Sequence, residues 1–198
     1  MELDIDNIAD YYSKMRDQEL IRIATQDARG LRPEVFDIIE KEIKKRNLNP
    51  DLLKGAIAQN KEYSTEELEK YAEKLRELQC PICGQIEQKL NGTIAHSIMS
   101  FLIFTTYKTE PFIACPDCLD KKNNNAIISS TLLGWWGIPW GLLKTPTYIY
   151  RNLKAKRQNH VSYSNDTMLS FTLSNIGELE TYGNDKNKLR TLIKRKDY

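Results

Sequence analysis

Residues 80–118 read CPICGQIEQKLNGTIAHSIMSFLIFTTYKTEPFIACPDC, and the fold turns on this stretch. It opens with Cys80-Pro-Ile-Cys83-Gly84 and closes with Cys115-Pro-Asp-Cys118, which together hold all four cysteines of the chain. Each CxxC supplies two thiolates from one tight turn, and two such pairs make the donor set of a tetrahedral structural zinc site at Cys80, Cys83, Cys115 and Cys118. Gly84 lets the backbone bend after the first pair, and Pro81 and Pro116 stiffen both loops. Other readings of the same residues are two disulfides, an iron site and a redox CxxC. Disulfides call for an oxidising compartment, a redox motif calls for one pair at a βα junction, and iron accepts the same ligands as zinc.

The pairs are 31 residues apart, so the spacer needs structure of its own. Asn91-Gly92 is a two-residue hairpin signal. It predicts a strand over 86–90 and a second over 93–106, the latter rich in β-branched and aromatic residues. A turn over Tyr107–Pro111 then brings Phe112–Ala114 back to the second pair. The expectation is a zinc ribbon over 80–122 with a long central hairpin, each CxxC at a strand end.

Upstream, residues 1–79 read as a helical module. Leu20, Ile23, Ala24, Ala28 and Leu31 recur at helical spacing, with Asp17 as N-cap and Gly30 as stop. Pro33 suits the first turn of a second helix whose apolar face is Val35, Ile38, Ile39 and Ile43. Asn49-Pro50 opens a third, and Ser64-Thr-Glu-Glu67 is a capping box for a fourth. Met1–Asp10 is acidic and lacks an apolar stretch, so a secretory leader is not expected there. Downstream, Met168, Leu169, Leu173 and Ile176 predict one helix and Leu189, Leu192 and Ile193 a basic final one, within a C-terminal segment 158–198. The fold class expected is α+β.

The chain has 198 residues, 40% hydrophobic and 28% charged, enough for a core and too apolar for global disorder. Its net charge of +2 is unevenly spread. Residues 1–79 carry 14 basic against 18 acidic side chains, 80–143 carry 4 against 4, and 144–198 carry 11 against 5. No even basic coat for nucleic acid exists.

Residues 126–143, AIISSTLLGWWGIPWGLL, are eighteen in a row without a charge and hold all three tryptophans. A straight membrane span takes about twenty apolar residues, and this run is interrupted by Gly134, Gly137, Pro139 and Gly141. A bent helical hairpin over 123–157 fits better, turning at Gly134–Pro139, with Gly137 left-handed and Pro139 in the first turn of the second arm. Trp135, Trp136, Pro139 and Trp140 are the candidate contacts to a membrane surface or a hydrophobic protein partner. Lys144, Arg151, Lys154, Lys156 and Arg157 follow as candidate phosphate or lipid contacts. Basic residues at both ends favour a cytoplasmic location at the inner face of the membrane. Burial of the hairpin in a core is the alternative.

The order CPxCG, hairpin, CPxC and GWWGxPWG, here Gly134–Gly141, resembles uncharacterised bacterial four-cysteine zinc-ribbon proteins with a short hydrophobic segment. The similarity covers about half of the chain. It implies a ribbon fold and a membrane link, and no activity. The residues themselves disfavour an enzyme. Four thiolates leave a zinc no open position, the two histidines, His96 and His160, read as packed and solvated, and no P-loop or nucleophile elbow is present. The expected function is a non-catalytic interaction or adaptor protein. Nucleic-acid binding, through the basic run beginning at Lys186, is the alternative.

Overall fold

The computed structural model describes residues 5–102 and 104–195, and these form a mixed α+β fold with a single two-stranded antiparallel sheet among them. The chain divides into two units, one of residues up to 71 with 172–189, the other of 72–171 with 190 onward.

The first unit is helical. Helices α1 (Ile5–Lys14), α2 (Asp17–Arg22), α3 (Pro33–Lys45) and α4 (Asp51–Ala58) precede α5 (Thr65–Arg76), and a π-helical turn, Ile23–Asp27, continues α2. Leu20, Ala24, Ala28, Ile38, Ile39, Ile43, Leu52 and Ala56 are buried together, as their helical spacing predicts. Pro33 sits in the first turn of α3. The Ser64 and Glu67 capping box forms, with Ser64 N donating to Glu67 Oε2 at 2.9 Å and Glu67 N to Ser64 Oγ at 3.2 Å. The N-cap of α2 is Arg16 and not Asp17, because Glu19 accepts from Arg16 N at 3.1 Å and from its guanidinium at 2.8 Å. Arg46 clamps the end of α1, donating to the carbonyls of Tyr12, Ser13 and Met15 while paired with Glu42.

The predicted single helix after Met168 is two: α8 (Asp166–Ser174) and α9 (Ile176–Tyr182), followed by α10 (Lys186–Lys194). Helix α9 crosses α4 at glycines. A Cβ on Gly55 would lie 2.2 Å from Thr181 Oγ1 and 2.6 Å from the Gly177 carbonyl, so no side chain fits.

The second unit holds the sheet, and here the sequence expectation is corrected. Strand β1 is Asn91–Phe101 and β2 is Phe104–Ala114, paired from Asn91↔Ala114 to Phe101↔Phe104. The chain therefore reverses between Phe101 and Phe104, not at Asn91-Gly92, residues 86–90 are not a strand, and Tyr107–Pro111 is inside β2. Asn91 and Gly92 are spent elsewhere. The Asn91 carboxamide donates to the Tyr163 carbonyl at 3.0 Å and accepts from Asn165 N at 3.1 Å. Gly92 lies against the start of α8, where a Cβ would stand 2.7 Å from Met168 N.

Helices α6 (Pro116–Leu133) and α7 (Trp140–Asn159) form the expected helical hairpin and pack on β1. The bend falls at 134–139, with Pro139 as the N-cap of α7. Gly137 is not left-handed. It is glycine because a Cβ would meet Ser100 Cβ and Thr105 Oγ1, both at 2.8 Å. Gly134 and Gly141 likewise have no room, against Thr145 and Ser100.

In a hairpin closed by Phe101↔Phe104, alternate residues of β1 turn their N–H and C=O away from β2. Side chains meet these groups one by one. Asn165 Nδ2 donates to the Gly92 carbonyl at 2.7 Å and Asn123 Nδ2 to the Ile94 carbonyl at 3.4 Å. Asn152 takes both groups of His96, accepting from N at 3.0 Å and donating to O at 2.6 Å, and Ser130 Oγ accepts from Ile98 N at 3.1 Å. Asn152 and Ser130 are fully buried, so helix side chains do the work of a third strand.

Candidate functional site

At the base of the hairpin the four cysteines come together, and all their sulfurs lie within 4.8 Å of one another. The first pair sits in a loop after α5. There Gly84 has φ +78°, a conformation that glycine takes without strain, and Gly84 N donates to the Cys80 carbonyl at 3.0 Å. The second pair directly follows β2. Cys115 is the N-cap of α6 and Cys118 lies in its first turn, with Pro116 between them. The expectation that each pair borders a strand thus holds for Cys115 and Cys118; residues 84–90, without regular structure, separate Cys83 from β1.

The donor set fits a metal ion. Zn–S bonds of about 2.3 Å in a tetrahedron place sulfurs about 3.8 Å apart, and Cys83 Sγ and Cys115 Sγ are 3.6 Å apart. A disulfide would need about 2.05 Å, and all four cysteines are free. Burial pushes the Cys80 thiol up, but N–H groups of Cys115, Cys83 and Ile82 outweigh it and bring it down to about 7. Burial raises Cys115, opposed by the Gln85 amide, and raises Cys118 strongly, with the neighbouring cysteines adding to the rise. One thiolate is therefore favoured by the fold, while Cys115 and Cys118 need a cation in place of the proton.

At the far end of the hairpin the surface is apolar. Phe101 and Phe104 are 74% and 73% exposed, Trp136 68% and Ile138 82%, and Leu102, Leu132, Leu133, Trp140, Leu142 and Leu143 are exposed with them. Trp135 is the least exposed tryptophan, at 38%. The β-turn and the bend of the helical hairpin meet here, through a bridge between Leu102 and Gly137 and through the glycine approaches to Ser100 and Thr105. Pattern reading placed the tryptophans on a bend. It missed Phe101, Leu102 and Phe104, because a run of β-branched and aromatic residues without Gly, Asn or Pro conceals its own turn. Leu102 has φ 52°, the left-handed region that an aliphatic side chain rarely adopts. No helix among the described residues is long and apolar enough to cross a membrane.

The basic residues singled out after the apolar run lie along α7. Lys144 Nζ stands 4.8 Å from the Tyr107 ring and 5.5 Å from the Trp140 ring. Arg151 and Lys154 are exposed and line a cleft with His96 and Thr167. Lys156 donates to Asn124 Oδ1 at 2.9 Å, and Arg157 is exposed. His96 is half-buried, and burial, with Arg151 nearby, pulls it below its ordinary value. His160 approaches Asp120 at 3.3 Å.

Comparison with known proteins gives no match to any family model, curated protein or solved structure.

Proposed function

We propose that this protein is a non-catalytic adaptor, braced by a structural zinc ion, that docks on a membrane surface through the joined tips of its two hairpins. The observation that carries this reading is the set of exposed aromatic and aliphatic side chains gathered from Phe101, Leu102 and Phe104 and from 132–143. A soluble monomer rarely keeps so many large apolar groups side by side unless they have a partner. Aromatic rings with polar edges favour the interface between water and lipid. When bound, zinc supplies a cross-link through four thiolates. Cys80 and Cys83 fix the loop after α5, while Cys115 and Cys118 fix the first turn of α6, whose last residues reach the tip.

The test uses the full chain. One zinc per chain is expected by elemental analysis, together with co-sedimentation on phosphatidylcholine vesicles and recovery in the membrane fraction of an expressing bacterium. Trp136→Ala with Trp140→Ala should lower vesicle binding by at least thirtyfold, given about 2 kcal/mol for burying a large apolar side chain, with zinc content unchanged. A native chain that ignores vesicles would defeat the membrane reading and turn attention to a hydrophobic protein partner for the same tip.

A further inference from the structure

Between the two tips lies a groove of about 420 Å³, lined by Phe104, Thr105, Tyr107, Trp140 and Lys144. Mere insertion of apolar side chains does not require it, and its chemistry is mixed in an ordered way. Phe104 and Trp140 belong to the exposed apolar tip. Lys144 lies four residues along α7 from Trp140, about 6 Å further from the tip at 1.5 Å per residue. That is the step from hydrocarbon to headgroup depth for a chain seated in an interface. Its ammonium is held over the Tyr107 and Trp140 rings, so its position is set by two elements at once. No carboxylate pairs with it among the described residues. Thr105 Oγ1 accepts from Ser100 Oγ at 3.2 Å, which leaves its own proton to donate. Along the helical hairpin that borders the groove, from Lys121 onward, the charge has one sign. From Lys121 to Asn165 the chain carries seven basic residues and no acidic one.

We propose that this groove seats the phosphate of an anionic phospholipid headgroup in the bilayer. Lys144 faces the phosphate, Thr105 and Tyr107 offer hydroxyl donors, and the Phe104 and Trp140 rings lie against the glycerol and the first acyl carbons. The proposal rests on the membrane-docking reading and adds a lipid preference to it. The turn supports it from an independent side. Leu102 keeps an exposed aliphatic side chain at φ 52°, where glycine or asparagine would be less strained, so the tip holds an apolar group against the preference of its own backbone.

The experiment compares the zinc-loaded full chain, as wild type and as Lys144→Gln, on vesicles of phosphatidylcholine alone and of phosphatidylcholine with phosphatidylglycerol. The wild type should bind the anionic vesicles more tightly. Lys144→Gln should lose about fivefold on them, the effect of one basic side chain at an anionic surface, and nothing on the neutral ones. Lys144 is exposed, so the variant is expected to fold, with circular dichroism and zinc content as controls. An unchanged anionic preference in Lys144→Gln overturns the proposal and leaves membrane docking standing. Wild type bound to neither vesicle overturns both. Release of the wild type from anionic vesicles by millimolar inorganic phosphate, at constant ionic strength, would show a seat for free phosphate and overturn the lipid assignment.

Discussion

The base and the tip of the β-hairpin follow opposite rules. Toward the base, polar atoms are buried and mostly matched: Asn123, Asn152, Asn159 and Asn165 are all buried and hydrogen-bonded, although Asn159 Oδ1 has no partner, and the four sulfurs converge at the base itself. At the tip, apolar atoms are exposed and unmatched. A buried amide is tolerated only when its partners are fixed, and so it enforces one arrangement of the chain. An exposed aliphatic side chain enforces little within the chain. Its exposure carries a cost in solubility. One end of the unit determines its shape, and the other is available for contact.

The sharpest way to break this contrast is to keep a metal ion from the four cysteines at the base. Chelation, or Cys115→Ser, should unfold residues 80–118, because structural zinc sites contribute on the order of 10 kcal/mol. Hydrogen exchange would show it as lost protection in β1 and β2, while the buried helices α2 to α4 keep theirs. Acid should act in the same direction. Cys115 and Cys118 hold their protons more tightly than an ordinary thiol, so metal uptake near neutral pH should release at least two protons per ion, measurable with an indicator dye.

The next effect is in the seal on β1. Asn152→Ala strips both backbone groups of His96 of their partner at a fully buried site. A loss of about 2–4 kcal/mol follows from two buried groups left unsatisfied, read as a lower urea midpoint. Zinc content and vesicle affinity per folded molecule should not change. If Asn152→Ala cost nothing, the buried polar seam would not be what fixes the base.

A smaller effect sharpens the contrast at the tip. Leu102→Gly relieves a left-handed aliphatic residue and should leave stability equal or raise it by about 1 kcal/mol, while weakening vesicle binding severalfold. Opposite signs for fold and docking at one residue would be the signature of a position kept for contact.

How much of this the sequence disclosed depends on the range of each interaction. The cysteine cluster, the capping box, Pro33 and the bend before Pro139 are local, and their patterns predict them. The hairpin register is not. Asn91-Gly92 carries the strongest turn signal in the spacer, yet Asn91 is bound to residues more than seventy positions away. Long-range hydrogen bonds and the tight fit of Gly92 against Met168 override the local preference. The actual turn has no turn residue at Leu102 to announce it. Likewise, the packing of α9 on α4 depends on Gly55 and Gly177, and neither signals its distant partner.

The smallest effect is one of pH. Burial lowers His96, so the fold favours the neutral imidazole. Its contribution is complete above the ordinary histidine value of about 6.5 and is lost as pH falls below that toward the depressed folded value, because the unfolded chain then binds more protons. The urea midpoint at pH 5.5 should therefore lie slightly below that at pH 7.5, and His96→Gln should reduce the difference.

A two-stranded sheet has two edges at which another copy could add a strand. On β1 that edge is occupied by amide and hydroxyl side chains from Gly92 to Ile98. On β2 the outward-facing position opposite Ile94 is Pro111, which has no N–H to give, and the neighbouring Lys108 and Glu110 are charged and paired with each other at 2.9 Å. A protein that gathers on a surface through a sticky tip raises its own local concentration manyfold, the condition under which open strands polymerise into fibres. Here the outer edge of β1 is taken up by side chains and that of β2 is interrupted at Pro111, features that oppose such growth at either border of the sheet.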